Sequence, residues 1–178
     1  MFRPISLALI LSGSLCAQFS IVPKSKPPAP ATYVTPADLE AELKSAPDQN
    51  AHLIDRPVRV IEAGEGGSHQ VGVAVVKRTA ADQDALIHDR IDEIYYILEG
   101  GGTLVTGGKL ADEKHTDASP TIGPGWRGSS IQGGQERRVN KGDIVFITAG
   151  TPHMFTKLDG PIRYLVYRVD FADVLALK

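Results

Sequence analysis

Glycine-centred turn signals recur at short intervals along this chain and leave little room for long helices. Gly66-Gly67, Gly100-Gly101-Gly102, Gly107-Gly108, Gly133-Gly134, Lys141-Gly142-Asp143 and Asp159-Gly160 punctuate it. Glycine adopts positive φ without steric cost, so such clusters mark tight turns. Between them the residues alternate apolar and polar, or form short apolar runs. That pattern predicts strands over His52–Glu62, His69–Arg78, Ala85–Leu98, Thr103–Thr106, Ser129–Gln132, Ile144–Thr148, His153–Lys157 and Ile162–Asp170. Short strands at this spacing predict a mainly antiparallel barrel or closed sandwich. Aromatic residues make up only 6% of the chain, so its core must lean on Val, Ile and Leu. Residues 109–128, which include His115 and Trp126, read as one long loop, with Trp126 a candidate cap over a pocket. No repeat and no second domain is visible.

The beginning of the chain reads as a secretory signal over residues 1–17. Arg3 supplies the positive end, Ile5 to Leu15 the apolar run, and Leu15-Cys16-Ala17 a cleavage site. The apolar run is too short to span a bilayer well. Export to the periplasm or the medium is therefore expected. Cys16 offers an alternative, a lipid anchor, which would be the only link to a membrane; the bulky Leu15 before it argues against acylation. Cys16 is also the only cysteine. Cleavage after Ala17 leaves no disulfide, no thiolate ligand and no cysteine nucleophile, so any metal must be held by histidine and carboxylate. Residues 18–34 carry Pro23, Pro27, Pro28 and Pro30 and read as an extended linker. Thr35-Pro36 then opens a short helix. Threonine suits the cap and proline the first turn, while Leu39 and Leu43 form one apolar stripe to lie against the barrel. The folded domain is expected over residues 35–178.

Charge excludes one class of partner. The chain carries 19 basic and 21 acidic residues. No basic field exists to attract nucleic acid. No nucleophilic triad is arguable, and the glycine clusters do not follow a strand-to-helix pattern that could cradle phosphate.

Two segments carry the chemistry. The first runs from His88 through Glu93 into Ile94-Tyr95-Tyr96-Ile97-Leu98-Glu99-Gly100. Strand alternation puts Glu93, Tyr95 and Ile97 on one face and Ile94, Tyr96 and Leu98 on the other. Both faces are apolar, which predicts burial on both sides. A carboxylate at the edge of a dry interior needs a cation, a donor or a proton. Arg90 is one candidate partner for Glu93 in a metal-free site. Asp92 points away from Glu93, toward solvent. The second segment runs from Gly142 to His153, where an Ala149-Gly150 turn and a rigid Thr151-Pro152 step deliver His153 to the next strand. Phe155 shares a face with His153. Tyr164 and Tyr167 lie on opposite faces of the last strand, so one at most points inward. His52, His69 and His115 sit in polar or turn-rich surroundings and read as surface residues.

At these residues the chain resembles the cupin family. Cupins carry a first motif of the form G-x5-H-x-H-x3-4-E-x6-G and a second of the form G-x5-P-x-G-x2-H-x3-N. Glu93 and Gly100 match the end of the first, and His88 falls at its second histidine. Gly142, Gly150 and His153 match the second. The sequence departs from the pattern at three places: Leu86 replaces the first histidine, Thr148 the proline and Lys157 the final asparagine. The resemblance implies an all-β fold, a cupin-like double-stranded β-helix (jelly-roll) barrel with a short N-terminal helix. It implies one divalent metal, Fe, Mn, Zn or Ni, held by His88, Glu93 and His153. Two histidines and one carboxylate leave positions open for water or substrate. Tyr95 is the candidate proton donor beside the metal. The expected function is action on a small organic molecule by dioxygenase, isomerase or lyase chemistry. The alternative is a metal-free module that binds a small ligand without turnover. A homodimer is expected in either case, because open barrel edges need covering.

Overall fold

The computed structural model describes residues 30–178. The expected signal segment and Cys16 lie outside the described residues, as does most of the proline-rich linker. Among the described residues there are one α-helix, α1 (Pro36–Lys44), and thirteen strands. These are β1 (Leu53–Ala63), β2 (His69–Arg78), β3 (Ala85–His88), β4 (Ile91–Glu99), β5 (Gly101–Thr106), β6 (Lys109–Ala111), β7 (Lys114–Ser119), β8 (Gly123–Gly128), β9 (Ser130–Gln132), β10 (Gln135–Asn140), β11 (Ile144–Ile147), β12 (His153–Leu158) and β13 (Ile162–Asp170). No helix among them is long and apolar enough to cross a membrane.

The strands form a five-stranded sheet in the order β1-β2-β13-β4-β11 and a six-stranded sheet in the order β10-β5-β12-β3-β8-β7. A two-stranded ribbon pairs β6 with β9. All the ladders are antiparallel. The all-β, jelly-roll expectation is met. The core lies between the two large sheets and is built from Val76, Tyr95, Ile97, Leu104, Phe155, Ile162, Tyr164 and Val166 among others. Successive strand residues face opposite ways, so each strand gives alternate side chains to this layer.

Helix α1 forms where expected. Thr35 accepts the Asp38 amide, and Asp38 in turn accepts the Thr35 amide, a reciprocal capping box. Its leucines Leu39 and Leu43 pack with Ile54, Val58 and Val75 on the outside of the five-stranded sheet. Glu40 meets Arg163 of β13, and Glu42 meets Lys178 at 2.6 Å each.

Four expectations need correction. The predicted strand Ala85–Leu98 is two strands, β3 and β4, in different sheets. The chain turns between them at Asp89-Arg90, where no apolar residue anchors it to either sheet. Residues 109–128 are not a loop. They contain β6, β7 and β8, the last two extending the six-stranded sheet. Apolar residues are sparse there because β7 is an edge strand and the buried residues of β8 are glycines, Gly123, Gly125 and Gly128. Trp126 does not cap a pocket, because its ring packs with Ala85, Val105 and Met154 in a satellite core. Lastly, β4 is not buried on both sides: Glu93, Tyr95 and Ile97 face the core, whereas Tyr96 on the other face is 38% exposed.

Candidate metal centre

Backbone hydrogen bonds tie the two motif segments together. The Gly150 amide donates to the carbonyl of His88 at 2.8 Å. The Ala149 amide donates to Oδ1 of Asp92, also at 2.8 Å. Asp92 is therefore not simply solvated; it holds the turn that leads into His153. Gly150 adopts φ of 81°, which a residue with a Cβ rarely accepts. The turn then enters β12 with His153 directly opposite Leu86 of β3.

The result is a buried cluster of three side chains. His88, Glu93 and His153 are 6%, 2% and 3% exposed. Nε2 of His88 lies 3.5 Å from Oε2 of Glu93, and Nε2 of His153 lies 3.7 Å from the same oxygen. The three ligand-type atoms fall within 4.8 Å of one another. The structure brings together all three residues expected to bind metal. It also places Tyr95 beside them, its hydroxyl donating to Oε2 of Glu93 at 3.0 Å.

The tautomer of His153 follows from its contacts. Nδ1 lies 3.0 Å from the carbonyl oxygen of Thr151, which can only accept. Nδ1 must carry the proton, so Nε2 presents a lone pair to the cluster. That Nε2 is buried and has no hydrogen-bond partner. Burial pushes the ring's pKa down to about 4, against the pull of Glu93. The ring is therefore neutral at ordinary pH, as a metal ligand must be. A divalent ion fits this donor set: it supplies the missing partner of Nε2 and meets two imidazoles and one carboxylate oxygen.

The cation facing Glu93 is not Arg90, which is exposed. It is Arg168 of β13, which pairs in register with Glu93 and is 4% exposed. Its Nε donates to Oε1 of Glu93 at 3.0 Å, and its two terminal nitrogens reach Asp55 of β1 at 3.3 and 2.6 Å. Burial works against ionisation of Glu93, but the charge of Arg168 and the bond from His88 outweigh it. The carboxyl stays well below its usual range. Burial and the neighbouring Glu93 charge push the Tyr95 hydroxyl well above its usual range, so it stays protonated at ordinary pH and donates its hydrogen bond to Glu93. Arg168 was legible in part: alternation along β13 places it on the face of Tyr164 and Val166, where a charge is out of place. Nothing local indicates its partners.

A cavity of about 410 Å³ opens from the cluster. Leu86, Val76, Val166 and Ile122 form apolar wall, and Arg78 and Tyr164 also line it. Arg78 donates from Nε to the Tyr164 hydroxyl at 2.7 Å and pairs with Asp82. Of the aromatic candidates, Tyr95 and Tyr164 line the cavity, Phe155 is buried in the core, and Tyr167 points outward at 43% exposure. His115 lies on β7 against Trp126 and is not part of the cluster. Leu86 and His88 project to the same side of β3, so the departure at Leu86 leaves an apolar side chain beside the cluster.

The fold and this cluster define a cupin-like barrel with a His–Glu–His group in its interior. No protein-family model matches the chain, and no curated protein matches it significantly. Similar solved structures do exist, and they include cupins. A Bacillus halodurans protein is 17% identical, with 79% of this chain and 83% of that one aligned at a TM-score of 0.46. A cupin protein from Bacteroides fragilis is 17% identical over 61% and 72%, at 0.38. Oxalate decarboxylase from Bacillus subtilis is 14% identical over 66% and 25%, at 0.43.

Proposed function

We propose that the chain binds one divalent metal through His88, Glu93 and His153 and acts on a small organic molecule held in the adjoining cavity. The observation that carries this reading is the buried, unpartnered Nε2 of His153. Leaving a buried acceptor unsatisfied costs about 1–3 kcal/mol, and a metal removes that cost. The bound ion would supply Lewis acidity to a carbonyl or enolate, or a site where O2 meets substrate. Tyr95 would hold a proton next to Glu93 and deliver it to the bound molecule. The apolar wall at Leu86, Val76 and Val166 would exclude water from one side. Dioxygenase, isomerase and lyase chemistry all suit such a site, and the fold does not choose among them. The test is elemental analysis of protein purified without chelator. About one equivalent of metal is expected, and His153→Ala should abolish it; the absence of metal in both proteins overturns the proposal.

A second reading has its own support. Arg168 already neutralises Glu93, and Leu86 stands where a further ligand would. On that reading the barrel holds a small apolar or sugar-like ligand without metal or turnover. Ligand-induced thermal stabilisation that is unchanged by chelator would favour it.

Two wider features belong to this proposal. The export expected from residues 1–17 would make the chain periplasmic or secreted, and N-terminal sequencing of the mature protein tests the cleavage after Ala17. A dimer would cover the outer edge of β11. That strand ends the five-stranded sheet and exposes Ile144 and Phe146, beside Tyr96 and Tyr167. An apolar edge strand of this kind invites pairing with a second copy. A clean monomer across a range of concentrations by size exclusion counts against it.

A further inference from the structure

Arg168 and Asp55 stand behind the cluster, and nothing in the metal reading requires them. A buried guanidinium must be paired, and Arg168 is paired on both sides. One nitrogen serves Oε1 of Glu93 at 3.0 Å, and the fork serves Asp55 at 3.3 and 2.6 Å. The three residues come from β4, β13 and β1, so three strands of one sheet converge on the carboxylate of Glu93. That carboxylate has two unlike oxygens. Oε1 points at the guanidinium. Oε2 points at both histidines and the Tyr95 hydroxyl. A charge-assisted bond fixes such a group more firmly than a neutral one.

We propose that Arg168, braced by Asp55, is a positioning residue that commits Glu93 to bind the metal through Oε2 alone. This rests on the metal reading above. Arg168 does not touch the ion. It sets which oxygen is offered, and it keeps that oxygen between the histidines before any metal arrives. A bidentate carboxylate would have to break the bond from Nε. Outer partners of this kind typically change metal affinity by about 10–100-fold.

Charge alone makes the opposite prediction. Arg168 is a positive group close to a positive ion, so a purely electrostatic role predicts that its removal tightens binding. Positioning predicts that removal weakens it.

The experiment uses cobalt(II) as the probe on the full chain, with affinity from competition against a chelator and coordination from the visible absorption spectrum. Arg168→Met should weaken cobalt binding about tenfold or more and change the spectrum. Arg168→Lys keeps the charge but lacks the planar fork that fixes both carboxylates, and it should behave like Arg168→Met. Asp55→Asn, at a partly exposed residue, keeps the guanidinium but loosens its brace, and it should show a smaller loss of the same kind. It also keeps the test open if the Arg168 variants do not fold, which circular dichroism in chelator will reveal. Tighter binding in Arg168→Met overturns the proposal. So does a wild-type affinity and spectrum in folded Arg168→Lys or Asp55→Asn. If the unaltered chain binds no cobalt, the metal reading itself fails and this inference goes with it, a result distinct from binding that the variants leave unchanged.

Discussion

Two polar groups line the same cavity, and they differ in one respect. The Arg78 group is closed. Its guanidinium meets Tyr164 and Asp82, and Asp82 also accepts the Phe155 amide at 2.7 Å. The guanidinium lies 5.5 Å from the centre of the Phe155 ring as well. The His88–Glu93–His153 group is open. Glu93 is fully used, but Nε2 of His153 has no partner. A closed network in a low-dielectric interior gives rigidity and has nothing left to offer a ligand. An open one keeps a lone pair available and accepts a cost in stability for it. The contrast separates the polar residues that hold this barrel together from those available for chemistry.

The largest expected effect lies on the closed side. Arg78→Met leaves the partly buried Asp82 without its cation and should cost about 3–5 kcal/mol of stability. Chemical denaturation in the presence of chelator measures it. A loss under 1 kcal/mol would mean that the network is not structural and would blur the comparison.

The next effect is pH dependence on the open side. His153 has a pKa of about 4 when folded, against an ordinary value of 6.5. Its folded form resists protonation, so the unfolded chain binds the extra proton between those values. Stability should therefore be fully present above pH 6.5 and fall as pH drops toward 4, by about 3 kcal/mol in all. Glu93, whose pKa is depressed, adds a further loss only at lower pH. Urea melts of the metal-free protein at pH 7 and pH 4.5 check the sign. Equal stability at both, or the absence of this slope's reduction in His153→Ala, would show that the ring does not titrate as its burial requires.

Third comes metal affinity. His153→Ala should weaken cobalt or zinc binding by at least about a hundredfold, since an inner ligand matters no less than its outer partners. Arg78→Met should leave that affinity within a few-fold. If both variants lose metal alike, the two groups are not separable.

The smallest effect adds a donor to the open side. Leu86 lies opposite His153 and beside His88. Leu86→His should tighten metal binding by about tenfold, or ~1.4 kcal/mol. Weaker binding in a folded variant would show that the apolar wall, not a missing ligand, shapes the site.

Much of this was legible before the fold was known. The glycine turns and alternating runs marked most strands, Thr35-Pro36 marked the helix start, and the resemblance to the two cupin motifs implied the grouping of His88, Glu93 and His153. The misses share a cause. Strand β10, Gln135–Asn140, has only Val139 buried, so it shows no apolar pattern. Strand β7 escaped for the same reason, being the edge of its sheet, and β8 escaped because its buried residues are the glycines Gly123, Gly125 and Gly128. The outward exposure of Tyr96, Ile144 and Phe146 could not be read either, because an apolar residue looks the same on an inner and an outer face.

What the sequence determines by itself is local. Periodicity sets which side chains share a face, and glycine and proline set where the chain turns. Those are short-range steric facts. What only the tertiary structure decides is who meets whom across strands. Glu93 finds Arg168 75 residues away, and Arg168 finds Asp55 113 residues away. His153 faces Leu86 because β12 pairs with β3 in one register and no other. Shifting that register by one residue would turn every side chain of β12 to the other face. Pairing is set by burial of the whole sheet, so the partners of the cluster, and the unpartnered Nε2 of His153, are properties of the fold.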